Sequence, residues 1–266
     1  MTKTILITGS TDGIGFETAK LLHEQGHRVL LHGRSADKLE HVKGMLSNGQ
    51  TVSTYLADLS KRTQVAELAA AVIADHESLD VLINNAGVFR MPQAQTPGGL
   101  DLRFVVNTIA PYLLSQLLLP HIPKWGRVVN LSSAAQSSVS LEALFGRVKL
   151  SDGDAYAQSK LAMTMWSRQL ALNLGSDGPM VVAVNPGSLL GSKMVKEAFG
   201  IDGGDLSKGA EILCRAALSE EFATAAGKYF DNDSGKFANP HPDGLNTEKN
   251  SEVTRGVDEL SQLASW

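Results

Sequence analysis

Short β-branched runs alternate with longer amphipathic ones along most of this chain, and no other feature limits its fold as strongly. The strand candidates are Thr4–Thr8, Arg28–His32, Thr51–Leu56, Val81–Asn84, Arg127–Leu131 and Met180–Val184. They are brief apolar runs closed by Gly, Asn, Ser or Pro, as buried parallel strands are. Between them the spacing predicts helices over Ile14–Gln25, Ala36–Leu46, Arg62–Asp75, Leu100–Leu119 and Ala155–Leu174, with another at Ser207–Leu218. Parallel neighbours need a crossover between them, and a helix is the usual one. The pattern therefore predicts an α/β fold: a doubly wound parallel sheet with helices on both faces.

No repeat, low-complexity tract or composition break divides the 266 residues, so residues 1–266 read as a single domain. Residues 231–266 form a distinct extension. Asp231 through Asn250 are rich in Asp, Asn, Gly, Pro and Lys and read as irregular surface chain. Val253, Val257, Leu260 and Leu263 then fall at helical spacing, which predicts a short closing helix packed on the domain.

Composition excludes several functions. The 24 basic and 28 acidic residues are mixed along the chain and leave a net charge of −4, so nucleic acid is not an expected partner. Cys214 is the single cysteine; it permits neither an internal disulfide nor a Cys-based zinc site and suits a reducing compartment. The seven His residues are scattered, and Asp231, Asp233 and Asp243 lack the calcium-loop pattern, so no metal site is expected. Ile5-Leu6-Ile7 is too short for a signal-peptide core. The most apolar stretch, Ile109 to Ile122, is interrupted by Pro111, Ser115, Gln116, Pro120 and His121. These features read as a soluble, cytoplasmic protein without a membrane partner.

The first strand runs straight into Thr8-Gly9-Ser10-Thr11-Asp12-Gly13-Ile14-Gly15. Glycines serve where a chain turns tightly and where backbone approaches a pyrophosphate, and the following helix N-terminus favours an anion. The loop is a dinucleotide cradle candidate. Its G-x-x-x-G-x-G spacing resembles the short-chain dehydrogenase/reductase family, marked by Thr-Gly-x-x-x-Gly-x-Gly at this place.

Further motifs extend the resemblance over residues 3–230. An acid closing the second strand would bind the 2′-hydroxyl of NAD; here the chain reads His32-Gly33-Arg34-Ser35, and Arg34 offers a fork to the 2′-phosphate of NADP. NADP is the expected cofactor. Asp58-Leu59 matches the family's pair at the adenine ring, although Asp58 also suits a helix N-terminus. Asn84-Asn85-Ala86-Gly87 matches the family's Asn-Asn-Ala-Gly motif, and the resemblance places Asn85, Ala86 and Gly87 beside the cofactor. Pro186-Gly187-Ser188 matches the turn that approaches the nicotinamide carboxamide. The family places a Thr a few residues later, where this chain reads Leu189-Leu190-Gly191-Ser192; Ser192 substitutes for it if the loop shifts. Lys228-Tyr229-Phe230 resembles the family's seventh strand, so the resemblance implies a Rossmann-type sheet of about seven strands.

Tyr156 and Lys160 lie four apart on one helix face. Carbonyl reduction by hydride needs a proton donor, and an ammonium nearby would lower a tyrosine pKa toward a usable range. The resemblance makes Tyr156 the proton donor and has Lys160 lower its pKa and hold the nicotinamide ribose. It makes Ser133 the group that orients the carbonyl, with Ser132 the alternative, and gives Asn107 a water in a proton relay. Without the resemblance, Asn107 reads as a satisfied core residue that kinks its helix. The Ser133-to-Tyr156 spacing of 23 residues is wide, with extra residues in Ser137–Gly153. That insertion and the Gly227-Lys228-Tyr229-Phe230 ending resemble the retinol dehydrogenase and protochlorophyllide reductase branch. Leu141, Leu144, Phe145 and Leu150 either meet an apolar substrate or anchor the insertion.

The expected function is NADP-dependent interconversion of a carbonyl and an alcohol on a small-molecule substrate. The alternatives are reduction of an activated carbon–carbon double bond and cofactor sensing without turnover. The helices around Leu100–Leu119 and Ala155–Leu174 resemble the family's subunit interface, implying a homodimer or homotetramer, or a monomer if the tail blocks that face.

Overall fold

The alternation resolves into one twisted sheet in the computed structural model, which describes residues 1–46 and 52–266. Among the described residues the strands are β1 (Thr4–Ile7), β2 (Arg28–Gly33), β3 (Ser53–Leu56), β4 (Val81–Asn84), β5 (Arg127–Leu131), β6 (Met180–Asn185), β7 (Tyr229–Asp231) and β8 (Lys236–Ala238). Thr51, expected to open the third strand, lies outside the described residues. The order across the sheet is β3-β2-β1-β4-β5-β6-β7-β8; all neighbours are parallel except β7 and β8.

The helices are α1 (Gly13–Glu24), α2 (Ala36–Leu46), α3 (Arg62–Asp75), α4 (Leu102–Phe104), α5 (Ala110–Leu118), α6 (Leu141–Leu144), α7 (Asp152–Leu174), α8 (Lys193–Phe199), α9 (Leu206–Leu218) and α10 (Thr247–Ser261). Side chains alternate along each strand, and that period of two feeds two cores. Leu6, Leu82, Val128 and Val181 pack with Leu68 of α3, Leu114 of α5, Trp166 of α7 and Val257 of α10. Ile7, Ile83, Val129 and Val182 pack on the other face with Leu22 of α1, Leu39 of α2 and Leu213 of α9.

Three expectations need correction. The helix expected over Leu100–Leu119 is interrupted by a π turn, Val105–Ile109, between α4 and α5. The run Leu102–His121 has the length and apolarity of a membrane span and is mostly buried in the core. The segment read as irregular contains β8, which pairs with β7 through Phe230↔Phe237. Phe237, partly buried, meets Phe222 at a tilt and Phe230 edge-on, so one aromatic packed on the core suffices to make a strand of a polar stretch. The closing helix forms, but it ends before Leu263, which is 42% exposed, whereas Val253, Val257 and Leu260 are buried.

The insertion folds as α6, with Leu144 fully buried and Leu141, Phe145 and Leu150 packed on the same core. Anchoring accounts for all four side chains. From β1 the chain moves outward to β2 and β3, then returns to β4 on the other side of β1. The carboxyl ends of β1 and β4 thus flank a topological switch point, where open α/β sheets bind ligands.

Candidate active site

The loop from β1 to α1 is held open by its own backbone and its neighbours. Gly9 adopts φ +65, and a Cβ on it would lie 2.9 Å from the Ala86 Cα. A Cβ on Gly15 would lie 2.3 Å from the Gly9 carbonyl oxygen, so α1 closes on the loop only with glycine there. Asp12 caps α1 by accepting from the Gly13 N–H at 2.8 Å, and its other oxygen sits 3.4 Å from Lys38 Nζ. Asn85 Nδ2 donates to the carbonyls of Thr8 and Gly9 at 2.8 and 3.1 Å, tying the exit of β4 to the loop. Asn84 turns inward instead, donating to Ser115 Oγ and Asn130 Oδ1 beneath the sheet.

His32, which the sequence reading passed over, braces the same loop. Its Nδ1 accepts from the Gly9 N–H at 3.1 Å, and Nε2 lies 3.1 Å from the Ala57 carbonyl. Both contacts are satisfied by the neutral ring with hydrogen on Nε2, and burial pushes its pKa down to about 4. The only sequence signal was a polar residue at the buried end of β2.

Several expected contact residues serve the scaffold. The Ser10 hydroxyl accepts from the His32 N–H at 2.9 Å and is fully buried. Leu59 is a core residue. Asp58 Oδ1 accepts from the N–H and hydroxyl of Ser60, which shapes the turn before α3. Ser188 directs both its N–H and its hydroxyl to Asp233, at 2.8 and 2.6 Å. The side chains of Ser10, Asp58 and Ser188 are thus hydrogen-bonded within the chain, and Leu59 packs in the core. Thr11, Gly13 and Ile14 lie in the loop and the first turn of α1, and Pro186 and Gly187 follow β6. Arg34 is exposed just beyond β2. Ser192 caps α8, accepting from the Val195 N–H, and a Cβ on Gly13 would come 3.8 Å from its Cβ.

Across the cleft, Ser133, Tyr156 and Lys160 come together. Ser133 lies just past β5, where its carbonyl accepts from the Tyr229 hydroxyl at 3.0 Å and its Oγ accepts from the Ala135 N–H at 3.1 Å. Ser133 stands close enough to the Tyr156 hydroxyl to act on its pKa. Ser132 is buried, bonded to Thr164 Oγ1 at 2.7 Å, which leaves Ser133 as the serine in the cleft. Lys160 Nζ donates to the Leu131 carbonyl at 2.7 Å and lies 5.7 Å from the Tyr156 ring centroid. Burial pushes the Lys160 pKa down to about 8.

One expectation about this cluster changes, and Asn107 takes a defined place beside it. Burial pushes the Tyr156 pKa up, with Ser133 opposing it, so the expected lowering by Lys160 is not found in this arrangement. The ammonium faces a carbonyl at the end of β5, and desolvation of the phenolate prevails. Asn107 sits in the π turn, fully buried; its Oδ1 accepts from the Val88 N–H at 2.8 Å, and its Nδ2 donates to the Val88 carbonyl and Ser159 Oγ, both at 3.0 Å. Its amide therefore pins the exit of β4 to α7; the π turn is the local distortion that places it.

Phe89 is the second residue the sequence reading missed. Its ring meets Tyr156 edge-on, centroids 4.9 Å apart. It stands two residues after Gly87, close enough to the Asn-Asn-Ala-Gly motif to have been a candidate. A Cβ on Gly87 would lie 3.4 Å from Asn107 Oδ1 and 3.5 Å from Lys160 Nζ. The missing side chain leaves the Gly87 backbone open toward Lys160 Nζ, and the residues from the α1 N-terminus to Lys160 suit a dinucleotide.

A family profile described as short chain dehydrogenase matches residues 3–200. The chain is 32% identical over 252 residues to retinol dehydrogenase 13 of Homo sapiens, covering 86% of this chain and 76% of that protein. It is 34% identical over 245 residues to retinol dehydrogenase 12 of Mus musculus, covering 86% and 77%. A short chain dehydrogenase from Burkholderia cenocepacia, solved in complex with NADP, superposes with a TM-score of 0.71 at 27% identity, covering 88% of this chain and 97% of that one. The motifs meet at one sheet edge and the profile spans most of the sequence: the chain belongs to the short-chain dehydrogenase/reductase family, in its retinol dehydrogenase-like branch.

Proposed function

We propose that this NAD(P)-dependent oxidoreductase interconverts a carbonyl and an alcohol, uses NADP(H), and moves the proton through Tyr156. The observation that carries the reading is the convergence of Ser133 and Tyr156, with Lys160 on the same face of α7, beside the glycine-lined crevice of β1 and β4. When bound, the nicotinamide supplies or accepts the hydride.

Ser133 orients the substrate oxygen toward the Tyr156 hydroxyl. Burial keeps Tyr156 a neutral phenol, the form that donates a proton to a developing alkoxide. Lys160, largely cationic at neutral pH, holds the cofactor ribose. Asn107 is a positioning residue: it fixes Val88 and Ser159 around the pair. NADP preference rests on Arg34, on the missing acid at the β2 exit, and on Lys38 nearby at the loop. A single domain carries both the cofactor and substrate sites, and the setting is cytoplasmic.

Fluorescence titration with NADPH and NADH tests the cofactor assignment. NADPH is expected to bind more tightly, and Arg34→Ala to weaken NADPH roughly tenfold or more while leaving NADH unchanged. Equal or tighter NADH binding removes the NADP assignment. Tyr156→Phe is expected to abolish turnover on a carbonyl panel while keeping cofactor affinity; wild-type-like turnover removes Tyr156 from the mechanism.

A further inference from the structure

We infer that Asp233, in the turn between β7 and β8, is a positioning residue that sets the cofactor-side loop after β6. The inference rests on reading Pro186-Gly187-Ser188 as part of the dinucleotide site. That loop leaves the sheet with two left-handed residues close together, Gly187 at φ +122 and Leu189 at φ +51, the latter the one non-glycine residue with positive φ among those described. A short loop in that conformation needs outside support.

The β7–β8 turn supplies it. Asp233 accepts from both Ser188 donors, the N–H at 2.8 Å and the hydroxyl at 2.6 Å. Asn185 Nδ2 bridges Asp231 Oδ1 and Asp233 Oδ2 at 2.8 and 2.9 Å, and its Oδ1 accepts from the Gly187 N–H at 3.3 Å. Asn232 Nδ2 donates to the Pro186 carbonyl at 2.8 Å and to the Lys208 carbonyl, in α9, at 3.3 Å. Each of the three loop residues is thus held from the hairpin or through Asn185. Two neighbouring carboxylates would ordinarily repel; the donors around them hold both Asp231 and Asp233 below the usual carboxylate range despite partial burial.

The chemistry requires a carboxylate at position 233. Asp233 takes three donors on two oxygens, and a carboxamide would turn one NH2 group toward a donor. Asp233→Asn therefore loosens the loop without removing bulk, and Ser188→Ala removes only the hydroxyl bond at an exposed position.

Cofactor titration and steady-state kinetics on the full chain test this. Asp233→Asn is expected to raise the NADPH Kd and KM about tenfold with kcat within about threefold, and Asp233→Glu, which keeps the acceptors, to recover most of the affinity. Wild-type Kd and KM in Asp233→Asn overturn the inference. Should that variant fail to fold, Ser188→Ala carries the test with an expected Kd increase of about threefold. Hydrogen exchange separates this inference from the site reading. If the wild type binds neither NADPH nor NADH, the site reading fails; the brace is then read from the Ser188 amide, protected in the wild type and freely exchanging in Asp233→Asn. Equal exchange in the two proteins overturns the brace as well.

Discussion

The His32 ring is the clearest case of a residue whose titration reports on the loop it holds. Its pKa is about 4 in the folded chain against an ordinary 6.5. Between those values the unfolded chain takes up a proton that the folded chain refuses, so stability is complete above pH 6.5 and falls with acid through the window. The loss amounts to about 3 kcal/mol at the acid end. Urea unfolding at pH 7 and at pH 4.5 is expected to show most of that difference in the wild type and much less in His32→Asn. An equal drop in both proteins would assign the acid sensitivity elsewhere. At this scale much of the site was legible in the sequence: Ser133, Tyr156 and Lys160 do converge. His32, Phe89 and Asp233 were not, because each acts through a contact 23 to 67 positions distant, which no local pattern encodes.

At the scale of elements, α4 and the start of α7 are locked together by Arg103. Its guanidinium is 2% exposed and pairs with Asp101 at 2.6 Å and with Asp152, and it donates to the Phe89 carbonyl. The same residue therefore fixes the helix that carries Tyr156 and the backbone of the aromatic that packs on it. Arg103→Met leaves Asp101 and Asp152 without their partner and is expected to cost about 3–5 kcal/mol in denaturant unfolding. A loss under about 1 kcal/mol would mean that the acids rehydrate freely and the lock is dispensable. The π turn belongs to this scale too. The apolar spacing of residues 100–119 predicted one helix and met a real helical run, but the extra residue in the turn around Asn107 is a packing outcome: Val88 and Ser159 must both reach one amide.

At the scale of the whole molecule, α10 closes the structure by packing across α7 and α5. Those are the helices whose resemblance implied a subunit interface, and here their apolar faces receive Val253, Val257 and Leu260 from the same chain. Each such side chain contributes about 2 kcal/mol of burial. Sedimentation velocity is expected to show a monomer for the wild type. Val257→Asp is expected to lower the melting temperature and to promote self-association; a wild-type dimer joined through α5 and α7 would sink this reading.

The sequence by itself determined the parallel sheet, the two-sided helix layers and the order of the motifs, because periodicity and glycine placement act within a few residues. Tertiary structure decided what those local signals leave open. It made a strand of Lys236–Ala238 by pairing it with β7, and it sent the Ser188 donors to Asp233 rather than into the cleft. It also buried Ser132 against Thr164, left Ser133 beside Tyr156 and raised the Tyr156 pKa. Each of these turns on which groups are buried beside which others, and burial is set by contacts between segments far apart in the chain.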